Sequence, residues 1–222
     1  MCFSIVSPCA AFRKIHVRLP HKSIDKLRDI SHLSSVNRWE YAGGIEYDGF
    51  KFRDPSYNTS KKRGTIEAKD IDRLWNSKIT YHTHTGYVHH ECNVNENYPI
   101  FTTLPSESDL EMYIKGFPRL QTNIICDTHG YYVIDILHAV DNNTVPLPEA
   151  VNAYMRKLRQ EPFMRIHAFS DEGYEYFHTT LSNWKRYINS GVHDDMLNNF
   201  GISILYYGYK DQPPMVTLMK EV

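Results

Sequence analysis

His82 and His84 stand two residues apart at the end of a short run, Ser77-Lys78-Ile79-Thr80-Tyr81, that reads as a buried strand. Side chains on a strand alternate between faces, so residues two apart present both imidazoles on one side. Such a pair offers two nitrogen ligands to a metal ion, and a third ligand must come from elsewhere in the fold. Asp109 is placed to give it: Pro105-Ser106-Glu107-Ser108-Asp109 opens a helix, with Ser106 a good N-cap and Asp109 one turn inside. Two imidazoles and a carboxylate leave a tetrahedral zinc with one position open for water, the arrangement of catalytic zinc. A His-x-His pair alone is more often packed or exposed than ligating, so its context decides.

The context is a pattern of four positions in order. His82-Thr83-His84 is followed, after a proline, by Ser106-Glu107-Ser108-Asp109, and preceded by Glu40-Tyr41-Ala42-Gly43-Gly44-Ile45. This order resembles the motif of the JAMM (MPN-type) zinc metalloproteases, with a helix and strand before it and a hairpin after it. The resemblance covers about residues 14–140. It implies an MPN-like α+β fold, zinc held by His82, His84 and Asp109, Glu40 as general base and Ser106 as donor to the oxyanion. Glu46 is the alternative base, and capping alone is the alternative role for Ser106. The chain departs from the family in having Thr85 after the second histidine and 21 residues between His84 and Ser106.

The activity so implied is zinc-dependent cleavage of peptide or isopeptide bonds, with ubiquitin-like conjugates among the expected substrates. An alternative from another class is an MPN-fold structural or virion-type assembly protein whose zinc site is silenced. A metal phosphoesterase is a third reading, disfavoured by near-neutral charge and by the lack of an obvious second ligand set.

The elements that must position these residues follow from periodicity and punctuation. Residues 15–20 alternate as a strand, residues 23–33 carry one apolar helical stripe, and residues 39–47 read as a strand broken by Gly43-Gly44. A polar loop is expected at 54–64. Residues 85–104 are aperiodic and long for a loop, which suggests a lid over the metal. Within it, His89-His90-Glu91-Cys92 reads first as solvated loop and otherwise as a source of a silencing ligand. A helix should run from 106 to about 116, and strands 122–126 and 130–137 should form a hairpin. His129 and His138 receive no role, and Tyr131-Tyr132 and Tyr206-Tyr207 read as sheet packing.

Val145-Pro146-Leu147-Pro148 marks the candidate boundary between a hydrolase core (1–144) and a C-terminal extension (145–222) packed on it. The extension should contain helices at 149–159 and 181–188, a strand at 165–169, and a closing hairpin of 202–209 with 215–219. The sum is α+β with a mixed or antiparallel sheet.

Composition bounds the partners. Twenty-five basic against 26 acidic residues give a net charge of −1, and the only dense basic run is Lys61-Lys62-Arg63. Nucleic acid is therefore not expected, because phosphate contacts need a basic patch. No stretch is apolar enough for a membrane span, and the N-terminus lacks the pattern of a secretory signal. Four cysteines without a C-x-x-C pair suit a reducing, intracellular and cytoplasmic setting, with virion association as the variant. The expected partners are a protein or peptide substrate and an assembly partner on the extension.

Overall fold

The computed structural model describes residues 3–5, 12–62, 77–86, 97–137, 144–161, 168–171 and 174–221. The strands are β1 (Phe3–Ile5), β2 (Phe12–Arg18), β3 (Ala42–Ile45), β4 (Ile79–Thr83), β5 (Pro99–Thr102), β6 (Thr122–Cys126), β7 (Gly130–Ile136), β8 (Thr144–Pro146), β9 (Ala168–Asp171), β10 (Tyr174–Thr180), β11 (Ile202–Gly208) and β12 (Met215–Glu221). The helices are α1 (His21–Asn37), α2 (Glu107–Gly116), α3 (Pro148–Arg159), α4 (Leu181–Arg186) and α5 (His193–Phe200), with π-helical backbone at Tyr187–Val192 joining the last two. The class is α+β, built on a mixed five-stranded sheet in the order β11-β7-β6-β4-β3. Within it β4 and β6 are parallel and the other pairs antiparallel.

Alternation along these strands sorts their side chains between two cores. Ile79 and Tyr81 of β4, Ile124 and Cys126 of β6, and Tyr131 and Val133 of β7 face α1, β2 and β12. Ile125, Tyr132, Ile134 and Ile136, with Ile202, Ile204 and Tyr206 of β11, face α2, α3 and the helices after β10. That second core draws on residues both before and after the Pro146–Pro148 segment, Leu110 and Tyr113 packing with Met155 and Trp184. The tyrosine pairs lie in the sheet as expected: Tyr132 opposes Tyr206 and Tyr131 opposes Tyr207, with ring centroids 4.8 and 5.8 Å apart.

Several elements differ from the sequence reading. Helix α1 continues beyond residue 33 because serines, which carry no hydrophobic signal, extend its buried face. Ser34 Oγ donates to the Trp39 carbonyl at 2.6 Å, Ser31 Oγ to that of Asp127, and Ser35 Oγ lies 3.0 Å from Thr128 Oγ1. The strand expected at 39–47 is confined to β3. The chain then turns back, and residues 53–62 run beside β3, with Ala42 and Asn58 exchanging both backbone bonds at 3.0 and 2.7 Å. Gly43 is required there: a Cβ would stand 1.7 Å from the Ser56 carbonyl oxygen.

Residues 85–104 are not wholly loop. Their last part is β5, which pairs with β10, a strand the sequence reading passed over; 87–96, including His89, His90, Glu91 and Cys92, lie outside the described residues. The strand expected at 165–169 is β9, and residues 162–167 are likewise outside. The closing pair is no hairpin: β11 joins β7, whereas β12 crosses to β2, with Val216 opposite Val17 and Leu218 opposite Ile15. No helix among the described residues is long and apolar enough to cross a membrane.

Candidate metal centre

Strand β4 is paired on both sides, Ala42 and Ile125 flanking His82, so its backbone is fixed where the histidines emerge. The His84 N–H donates to the Cys126 carbonyl at 2.8 Å and prolongs that order beyond the strand. Thr83, between the histidines, points the opposite way, its Oγ1 donating to Ser34 Oγ of α1 at 2.8 Å. Both imidazoles therefore share the face that looks toward α2.

Helix α2 brings the third side chain. Ser106 caps it and forms a full capping box: the Asp109 N–H donates to Ser106 Oγ at 3.1 Å, and the Ser106 N–H to Asp109 Oδ2 at 2.7 Å. The carboxylate is thus turned back toward β4. His82 Nε2 and His84 Nε2 lie 3.2 Å apart, with Asp109 Oδ1 3.2 Å from the first and Oδ2 3.2 Å from the second. Among the described residues, His82, His84 and Asp109 form a group able to hold a metal ion.

The spacing fits such an ion. Donors bound at about 2.0–2.1 Å with tetrahedral angles stand about 3.3 Å from one another. The chemistry of the set points the same way. Two imidazoles facing through Nε2 and a carboxylate direct their donor atoms to one point, where a cation fits. Burial opposes the charge on Asp109, yet His82 and His84 together hold its carboxyl well below the usual carboxylate range. Burial also works against a proton on His84, but Asp109 outweighs it and the imidazole is raised.

Glu40 reaches the same face. Continuing the β3–β4 register, in which Ala42 opposes His82, sets Glu40 opposite His84. Its backbone is held there, the carbonyl accepting from Thr59 Oγ1 at 2.7 Å. Its side chain is buried, and that burial raises its carboxyl although His84 and His82 pull it down; Asp109 adds a further upward push. Glu46, the alternative base, is exposed and ion-paired with Arg53 at 3.2 Å, away from the cluster. Ser106 Oγ accepts in the cap and lies 2.8 Å from Ser108 Oγ; with Ser108 as donor in that pair, the Ser106 proton is free to be donated elsewhere.

Two residues near the site gave no sign of a role there in the sequence, Asp127 being legible only as a turn residue. Thr103 Oγ1 lies 2.9 Å from His84 Nδ1. Asp127, fully buried, gathers donors from three elements: Thr102 Oγ1 at 2.6 Å, Tyr206 Oη at 2.8 Å, and the N–H groups of His129 and Gly130. It pins the turn of the β6–β7 hairpin to β5 and β11. Threonine next to threonine on an unrecognised strand offers no periodic cue; only the need of a ligating histidine for a partner on its second nitrogen could have prompted a search. His138 lies outside the described residues.

No family model, curated protein or solved structure matches the chain.

Proposed function

We propose that His82, His84 and Asp109 hold zinc and that the chain is a JAMM-like metallopeptidase acting on peptide or isopeptide bonds, with ubiquitin-like conjugates as the substrate class to try first. The observation that carries the reading is the convergence of those three donors at 3.2 Å spacings, with a buried glutamate on the same sheet face. Bound zinc supplies Lewis acidity, acidifying water to a pKa of about 7 and polarising a carbonyl.

The remaining work falls to side chains. Glu40, buried so that its charge is disfavoured, accepts a proton from the attacking water and returns it to the leaving amine. Ser106 Oγ donates to the oxyanion of the tetrahedral species, and its position follows from the same cap that orients Asp109. The described thiol, Cys126, is buried and its ionisation is pushed up by that burial, so it takes no part as nucleophile.

Elemental analysis of purified protein tests the assignment, with a His82→Ala/His84→Ala double variant beside it. One zinc per wild-type chain, lost in the variant, is expected, together with cleavage of a ubiquitin-like fusion or isopeptide conjugate that a chelator abolishes. Zinc content independent of both histidines ends the reading. Zinc bound without hydrolysis of either substrate favours the silenced assembly protein instead.

A further inference from the structure

Thr103 lies 7% exposed at the end of β5, its hydroxyl facing the nitrogen of His84 that points away from the cluster. A neutral imidazole carries one proton. If that proton sits on Nε2, this nitrogen cannot bind a metal; if it sits on Nδ1, Nε2 presents its lone pair to the cluster. Ligating histidines generally donate their second N–H to a fixed acceptor, which selects the tautomer and holds the ring. Thr103 Oγ1, 2.9 Å from Nδ1, stands where such an acceptor would be.

The backbone bearing that hydroxyl is itself held. Trp184 Nε1 donates to Tyr132 Oη at 2.9 Å, and Tyr132 Oη donates to the Thr103 carbonyl at 2.9 Å. The direction follows from donor chemistry: an indole N–H can only donate, so the tyrosine oxygen accepts and its own proton goes to the carbonyl. Both rings are fully buried. On the other side of Thr103, Thr102 is tied to Asp127 through its hydroxyl at 2.6 Å, and β5 is paired along its length with β10.

Resting on the metal reading above, we infer that Thr103 is a positioning residue of the centre: its hydroxyl accepts the Nδ1 proton of His84 and fixes Nε2 as the ligating atom, while the Trp184–Tyr132 relay holds that hydroxyl in place. The segment that leaves the site after His84 thus returns to it at Thr103, and its docking against β10 becomes a condition for ordered metal binding.

The experiment is zinc affinity by competition with a chromophoric chelator, paired with long-range 1H–15N spectra of the histidine rings in the zinc-loaded full chain. Thr103→Val should weaken zinc binding 10- to 100-fold, Thr103→Ser should stay near wild type, and Tyr132→Phe should weaken it by less than Thr103→Val. In wild-type protein the His84 Nδ1 proton should be present and slow to exchange with solvent, a readout that needs no variant to fold. Loss of binding in His84→Ala with no change in Thr103→Val overturns this inference alone. So does an Nδ1 proton in the wild type that exchanges as fast as a free imidazole's. Zinc affinity untouched in His84→Ala removes the metal assignment, and this inference with it.

Discussion

Ser106 and Asp109 hold each other by two hydrogen bonds, the Ser106 N–H on Asp109 Oδ2 at 2.7 Å and the Asp109 N–H on Ser106 Oγ at 3.1 Å. The bonds that start helix α2 are therefore the bonds that aim the carboxylate of the candidate metal site. One serine serves helix stability and site geometry, and the two can be separated. Glycine is tolerated at an N-cap at a cost of a few tenths of a kcal/mol, but it has no hydroxyl. Ser106→Gly should leave stability within about 0.5 kcal/mol by denaturant titration while lowering kcat about a hundredfold, the loss typical of one oxyanion donor. Unchanged kcat in a folded, zinc-loaded variant would leave Ser106 as a cap only.

Glu40 is not a ligand, so its substitution should divide binding from turnover. Glu40→Gln keeps the shape of the side chain but cannot take a proton. Zinc content and the melting temperature should match wild type, while peptide hydrolysis falls by about 10²- to 10⁴-fold. Wild-type turnover in this variant would transfer the role of base to another group.

Asp135 provides a stability test far from the chemistry. It is buried in β7, accepting from Thr122 Oγ1 at 2.6 Å, and burial pushes its carboxyl up from 3.8 to about 7 against the hydrogen bonds from Thr122 and Thr217. The unfolded chain loses this proton near 3.8, the folded chain near 7. The folded state therefore retains the proton in between, and its stability falls as pH rises across that window, then levels off. Asp135→Asn stays neutral throughout. It should be more stable than wild type above pH 7, by on the order of 4 kcal/mol, and should converge with it near pH 4. Urea titrations at pH 4, 6 and 8 check the sign. Parallel pH profiles for the two proteins would count against a buried protonated Asp135.

The segment between His84 and Thr103 gives a fourth test. His84 Nδ1 and Thr103 Oγ1 are 2.9 Å apart, so the segment between them departs from and rejoins the metal cluster. Replacing residues 87–96 with a short Gly-Ser link, leaving β5 intact, should change hydrolysis of a ubiquitin-like substrate by more than tenfold, about 1.4 kcal/mol in the barrier. Faster turnover would identify a restraining lid, with Cys92 the first residue to substitute, and slower turnover a substrate contact. Equal kinetics at equal zinc content would mark the segment as a bystander.

The site was more legible in the sequence than the topology around it. His82 and His84 could be read because strand alternation is a local rule, and Asp109 because an N-cap serine followed by acidic residues signals a helix start. The β6–β7 hairpin was legible for the same reason, its turn residues lying between two apolar runs. What escaped depends on partners distant in sequence. The strands β11 and β12 flank a proline-rich turn and imitate a hairpin locally, yet the partner of each is elsewhere. The alternating Tyr174-Glu175-Tyr176 stretch of β10 was available as a strand signal, but nothing local announced that it would order β5. Thr103 became visible only once that pairing had placed it beside His84.

The pairing of β2 with β12 also constrains the order in which the molecule can be made. Along β2, residues 12–18 find their partners at 215–221, so the strand emerges from the ribosome long before anything exists to bond with it. Until then Ile15 and Val17 must wait uncovered or be shielded by a chaperone, since contacts of such sequence separation form late. A nascent chain arrested before residue 215 should accordingly be far more prone to proteolysis and association than the released protein, although every element around the candidate metal centre has already been synthesised.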